Sequence, residues 1–276
     1  MARFLLLSLA LSLAATAAPP VSAPSQPLHQ IEAGFHQMYN LDFDQAHHTF
    51  DNWQQQHPQD PIGPASNAAA YLYAEFDRLN ILHSELFVED GLFKKRSKPI
   101  PDANARQAFD DQIAKAEQLA DNILAQAPQQ TDAMFAKILA LGLRADFLSL
   151  IEHRDLDALK VVKNSRATAE KLLSIDPSYY DAYLAVGVEN YLLSIKPAPV
   201  RWLLRMNGAE TDRDRGIENL RLTAEKGHYL SPYARLLLAV AALRGNDRTE
   251  AAELLGDLAR EFPRNRLYAQ ELAHLK

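Results

Sequence analysis

Beyond Gln26, apolar side chains recur every three or four residues along almost the whole chain, the spacing of amphipathic helices rather than strands. One phrase within that rhythm returns. From Gly34 the chain reaches Ala46, Phe50 and Pro58 at steps of 12, 4 and 8 residues, with Phe35 and Tyr39 on the first of the two helices so marked. Small residues let two helices approach closely, the aromatic fills the gap to the next pair, and Pro stops the second helix. Asp42 and Asp44 stand where that second helix begins, a natural place for a cap. The 4 and 8 steps come back in Ala116, Ala120 and Pro128, in Ser165, Ala169 and Pro177, and in Ala251, Leu255 and Pro263. A less regular copy has Gly187 in its first helix and Ile217, Leu220 and Ala224 in its second, before Gly227. The pattern predicts an all-α chain of about five antiparallel helix pairs over residues 28–262, with a capping helix over Asn265 to Lys276.

The Gly, Ala-x3-Phe and Pro spacing resembles the tetratricopeptide repeat over nearly all of residues 28–276. The resemblance implies an α-solenoid whose first helices line a concave groove that holds a peptide or protein partner. On that register Phe35, Tyr39, Tyr73, Phe135 and Tyr191, with Leu139, Leu184 and Leu236, face inward, either as an apolar partner-binding groove or, where longer helices overlap the insertions, as a groove filled from within. Two departures stand out. Trp53 sits where the family has a small residue, and the Trp, Leu and Tyr of its first helix are mostly absent. The four Pro stops are also 70, 49 and 86 residues apart, so a 34-residue unit leaves 36, 15 and 18 extra residues, the last interval holding two units.

Those extra residues fall inside the pairs, which gathers them on one edge of the stack. The first insertion, about 85–105, carries Lys94, Lys95, Arg96 and Lys98, read as a solvated basic loop or a contact for phosphate head groups. The middle one reads as longer helices through Glu152 to Lys163. In the third, about 196–215, Arg201, Trp202, Leu203 and Met206 form an edge contact: a short amphipathic helix meeting a membrane surface, a lipid or a partner protein, or a lid over the solenoid's own apolar surface.

The N-terminus has its own grammar. Arg3, an apolar run from Phe4 to Ala15 and the Ala15-Thr16-Ala17 sequence are the three parts of a secretory signal peptide, expected to be cleaved after Ala17. Residues 18–27 read as a disordered linker rich in Pro, Ala and Ser. The run is too short to span a bilayer, so the expected product is a soluble protein of the periplasm or the extracellular space.

Composition narrows the chemistry. With no Cys among 276 residues, thiolate metal sites, iron–sulfur clusters and cysteine nucleophiles are excluded. Ten Gly and a net charge of −6 fit neither a phosphate-cradling loop protein nor a basic nucleic-acid binder. His47 and His48 are adjacent and lie about 100° apart on a helix, so they do not form a metal pair. Carboxylate neighbours at Glu89-Asp90, Asp110-Asp111, Asp155 with Asp157, and Glu210 with Asp212 and Asp214 sit where helices start or loops run. No catalytic, metal or cofactor residue is nominated. The leading expectation is an exported, non-enzymatic scaffold that binds a protein partner in the periplasm or cell envelope. The alternative is a periplasmic carrier of a small apolar or lipid-like ligand in the groove, and an all-helical hydrolase is the weakest reading.

Overall fold

A computed structural model of the chain describes residues 26–81, 98–194 and 212–275. The expected leader, Lys94 to Arg96 and Arg201 to Met206 lie outside these. Among the described residues there is no strand, and there are eleven α-helices: α1 (Gln26–Tyr39), α2 (Phe43–Gln56), α3 (Ile62–Arg78), α4 (Ala103–Gln126), α5 (Thr131–Asp146), α6 (Asp155–Ile175), α7 (Tyr183–Ser194), α8 (Arg213–Lys226), α9 (Ser231–Arg244), α10 (Arg248–Glu261) and α11 (Arg266–His274). Each odd-numbered helix from α1 to α9 packs on the even one after it, and each even one packs on the next odd one. This is the all-α solenoid of five pairs and a cap. Helix α1 starts at Gln26, inside the stretch assigned to the linker.

The repeated phrase is the packing code. Ala46, Phe50, Ala116, Ala120, Ser165, Ala169, Ala251 and Leu255 are all buried. The four helices that end before a Pro do so at His57, Ala127, Asp176 and Phe262, all with extended or near-extended backbone, as the residue before proline requires. In the fourth pair the register differs from the sequence reading. Gly216, four residues before the buried Leu220, takes the small position, while Ile217 and Ala224 are only half-buried. A Cβ on Gly216 would lie 2.8 Å from Tyr191 N and 3.1 Å from Gly187 O, so the two backbones meet there.

Gly34 plays that role in the first pair, where a Cβ would fall 2.3 Å from the ring of Phe50. Gly34→Ala is therefore expected to lower stability by about 1–3 kcal/mol in a denaturant titration. Phe50→Leu in the same chain should recover part of the loss, whereas additive losses would mean that the two residues do not meet.

Side chains and capping loops join the two ends of the stack. Asn265 Nδ2 donates to Tyr39 O (2.7 Å), Arg264 N to Asn40 Oδ1 (3.0 Å), and Arg266 pairs with Asp77 (2.9 Å). Phe262 packs on His36 and Tyr39, at ring separations of 5.0 and 5.7 Å, and Tyr229 packs on Phe35 at 5.4 Å. Asp42, expected as a cap, makes no cap bond. Its carboxylate is turned instead to Arg264 (2.5 Å), 222 residues away.

The helix ends that flank both long insertions are the C-terminus of an odd-numbered helix and the N-terminus of its partner, and these ends share one edge of the stack. The third pair is elaborated at the same place by a π-helical turn, Phe147–Ile151. That edge is latched by charge: Arg106 pairs with Asp110 and Glu152 and packs over the Phe147 ring at 4.5 Å, and Arg154 pairs with Glu152 and Asp157.

Candidate functional site

The end-to-end contacts change what the inner face is. Phe35, Tyr39, Tyr73, Phe135 and Tyr191 lie between 0 and 9% exposed. Four of them belong to a continuous aromatic interior: Tyr39 meets Tyr73 edge-on at 5.5 Å, Tyr73 meets Tyr233 at 5.9 Å, and Phe135 stacks on Tyr229 at 5.7 Å. Tyr39 Oη donates to Tyr229 O at 3.2 Å. The inner face is thus largely filled from within, by the chain's own aromatic side chains.

Filling is incomplete. A cavity of about 740 Å³, counting the space at its mouth, remains between α1, α3, α5, α6, α7 and α9. Its walls include Leu143 and Gly142 on α5, Val162 on α6, and Leu184, Ala185 and Val188 on α7. Gly142, Val162, Leu184, Ala185 and Val188 keep accessible area although they point inward. Among the described residues, two carboxylates lie in the lining, and no Lys, Arg or His does.

The two carboxylates have different surroundings. Asp181, in the 3₁₀ turn Tyr180–Ala182, accepts from the backbone N–H groups of His228 (2.8 Å), Tyr229 (3.1 Å) and Leu230 (2.8 Å). It thereby orders the turn that presents Tyr229 to α1. Burial pushes its carboxyl above the usual range, and the three N–H donors pull the other way. Asp146, the last residue of α5, accepts one hydrogen bond, from Tyr233 Oη at 3.2 Å. Burial pushes its carboxyl up to about 7, with the Tyr233 bond opposing the rise, and Asp146 is one of the residues that line the cavity. The hydroxyls of Tyr39, Tyr73 and Tyr233 are also driven up by burial. Neither aspartate was singled out by sequence, since an Asp at a helix end reads as ordinary.

His47 is half-buried. Its Nδ1 lies 2.5 Å from Asn67 Oδ1 and its ring packs at a tilt against Tyr71, while Asn67 Nδ2 donates to Asp51 (2.7 Å). Among the described residues no group of three His, Asp or Glu could hold a metal ion. The acidic neighbours that are described serve helix starts and surface pairs: Asp212 caps α8, and Asp155 accepts from Ser149.

No family model matches the chain, and no curated protein does. Among solved structures, the chain is similar to a thermophilic TPR protein in Thermus thermophilus, with a TM-score of 0.46 and 15% identity over 90% of this chain and 98% of that one. The helix-pair architecture rests on the packing described above.

Proposed function

We propose that this is an exported, non-enzymatic helical-repeat scaffold that holds a protein partner along its insertion edge rather than in its interior. The observation that carries this reading is the exposure of two large apolar side chains, Ile100 at 83% and Leu156 at 79%. Ile100 precedes α4 and its carbonyl accepts from Arg78; Leu156 is the second residue of α6. Both therefore lie on the edge held together by Arg106, Glu152 and Arg154. Exposed apolar residues rimmed by charged ones match the apolar centre and polar rim of a protein interface.

The Ile100→Asp, Leu156→Asp double variant is expected to keep its helical signal and to lose at least tenfold in affinity, about 1.4 kcal/mol or more, for the partner that co-purifies from intact envelope. Equal recovery of that partner by both proteins contradicts the edge. Export is tested separately. The mature protein should be recovered outside the inner membrane with an intact mass beginning at Ala18, and a full-length mass in the cytoplasm contradicts it. The interior cavity favours a second reading, a carrier of a small apolar ligand.

A further inference from the structure

Protein interiors leave few voids larger than a water molecule, and this one, with about 80 Å³ open to the centre of a water-sized sphere and with accessible apolar walls, has several times the room that one water needs. One wall residue has no packing reason to be what it is. Gly34, Gly187 and Gly216 are each held by a close approach, but a Cβ on Gly142 would meet nothing within 4 Å. Glycine within a helix costs about 1 kcal/mol relative to alanine, and here the effect of that residue is to keep the wall of α5 open.

The head of the ligand is set by charge. Asp146 accepts one hydrogen bond and, among the described residues, has no basic side chain in the lining with it. A buried carboxylate without a counter-charge either takes a proton or pairs with a cation brought from outside. Asp181 is in a different position, since three N–H groups already hold it. The rings of Tyr73 and Tyr233, edge to face at 5.9 Å, stand beside Asp146, and electron-rich aromatic rings favour a cation. Among the described residues, a fatty acid or another anion would meet carboxylates and no positive group in the lining.

We propose that the cavity binds an apolar organic amine, its ammonium group paired with Asp146 beside Tyr73 and Tyr233 and its apolar body lying against Val162, Leu184 and Val188. The proposal rests on the carrier reading and adds the chemical class of the ligand. Between pH 6 and 8 the amine stays charged while Asp146 gains its charge, so affinity rises with pH across this window. The groups that face Asp146 are Tyr233 on α9 and Tyr73 on α3, both raised away from this range by burial, with Asp181 elsewhere in the lining.

Calorimetric titration of the mature chain with three probes of one shape, 4-phenylbutylamine, 4-phenyl-1-butanol and 4-phenylbutyrate, tests it. At pH 8 the amine should bind about tenfold or more tightly than the alcohol, and the carboxylate should give no binding. Lowering the pH to 6 should weaken the amine several-fold and leave the alcohol unchanged. Asp146→Asn should bring the amine to the alcohol's affinity, and Gly142→Phe, which fills the cavity, should weaken both. Equal affinity of amine and alcohol in the unaltered protein overturns the amine and leaves the carrier reading standing. Absence of binding by all three overturns the amine and counts against the carrier reading as well. An amine preference that survives Asp146→Asn overturns the role of Asp146.

Discussion

Phe262→Ala is expected to cost about 3–5 kcal/mol, the usual range for emptying a fully buried aromatic site. Phe262 is 1% exposed and stands at the end of α10, where its ring touches His36 and Tyr39 from the first helix and Tyr268 from the last. Removing the ring opens a void at the junction of the two ends, and the polar links beside it cannot compensate. Arg264 and Arg266 are well exposed in their pairs with Asp42 and Asp77, and exposed ion pairs contribute about 0–1 kcal/mol each. The junction is therefore held mainly by apolar burial and by the Asn265 bond to Tyr39 O. A denaturant titration should show the loss, and amide exchange should quicken in α1 and α11 before it does in α5 and α6. A loss below about 1 kcal/mol would mean that the two ends are not joined through this side chain.

The second large effect is a pH dependence centred on Asp146. Its carboxyl is raised to about 7 in the folded protein, against 3.8 for the group in an unfolded chain. The folded state thus holds a proton that the unfolded state has released. The resulting stabilisation is fully present below about pH 4, declines by about 1.4 kcal/mol per pH unit above that, and is gone once the pH has passed about 7. An asparagine side chain cannot titrate, so Asp146→Asn should be more stable than the natural chain at pH 8. The gap between the two should widen by about 3 kcal/mol from pH 5 to pH 8. A gap that stays constant over this range would show that Asp146 is ionised in the folded state throughout.

The helix pairs were legible because their code is local. The Ala46 and Phe50 phrase, its three echoes and the Pro stops need only neighbouring helices to make sense, and all of those small residues are buried. The fourth pair was misread at Gly216 because a pattern of apolar side chains cannot see a residue whose contribution is the approach of two backbones. The inward placing of Tyr39, Tyr73, Leu139 and Leu184 was also legible, from the register. Which of the two alternatives holds, an open groove or a filled one, was not. It depends on small rotations accumulated over five pairs, which bring Tyr229 and Asn265 to Tyr39 across 190 and 226 residues of sequence. For the same reason Asp42 looked like a cap, and its partner Arg264 could not be foreseen. Asp146 becomes unusual only once α3 and α9 place Tyr73 and Tyr233 beside it.

The two ends of the stack meet and convert a groove into an enclosed interior. The chain has no Cys, so Asp42→Cys, Arg264→Cys introduces the only two thiols, and each can carry a spin label. The ion pair lost in doing so is an exposed one of small value. Pulsed electron paramagnetic resonance of the doubly labelled protein should give one narrow distance distribution at the short end of the measurable range. A long or broad distribution, as an open superhelix with separated ends would give, contradicts this closure.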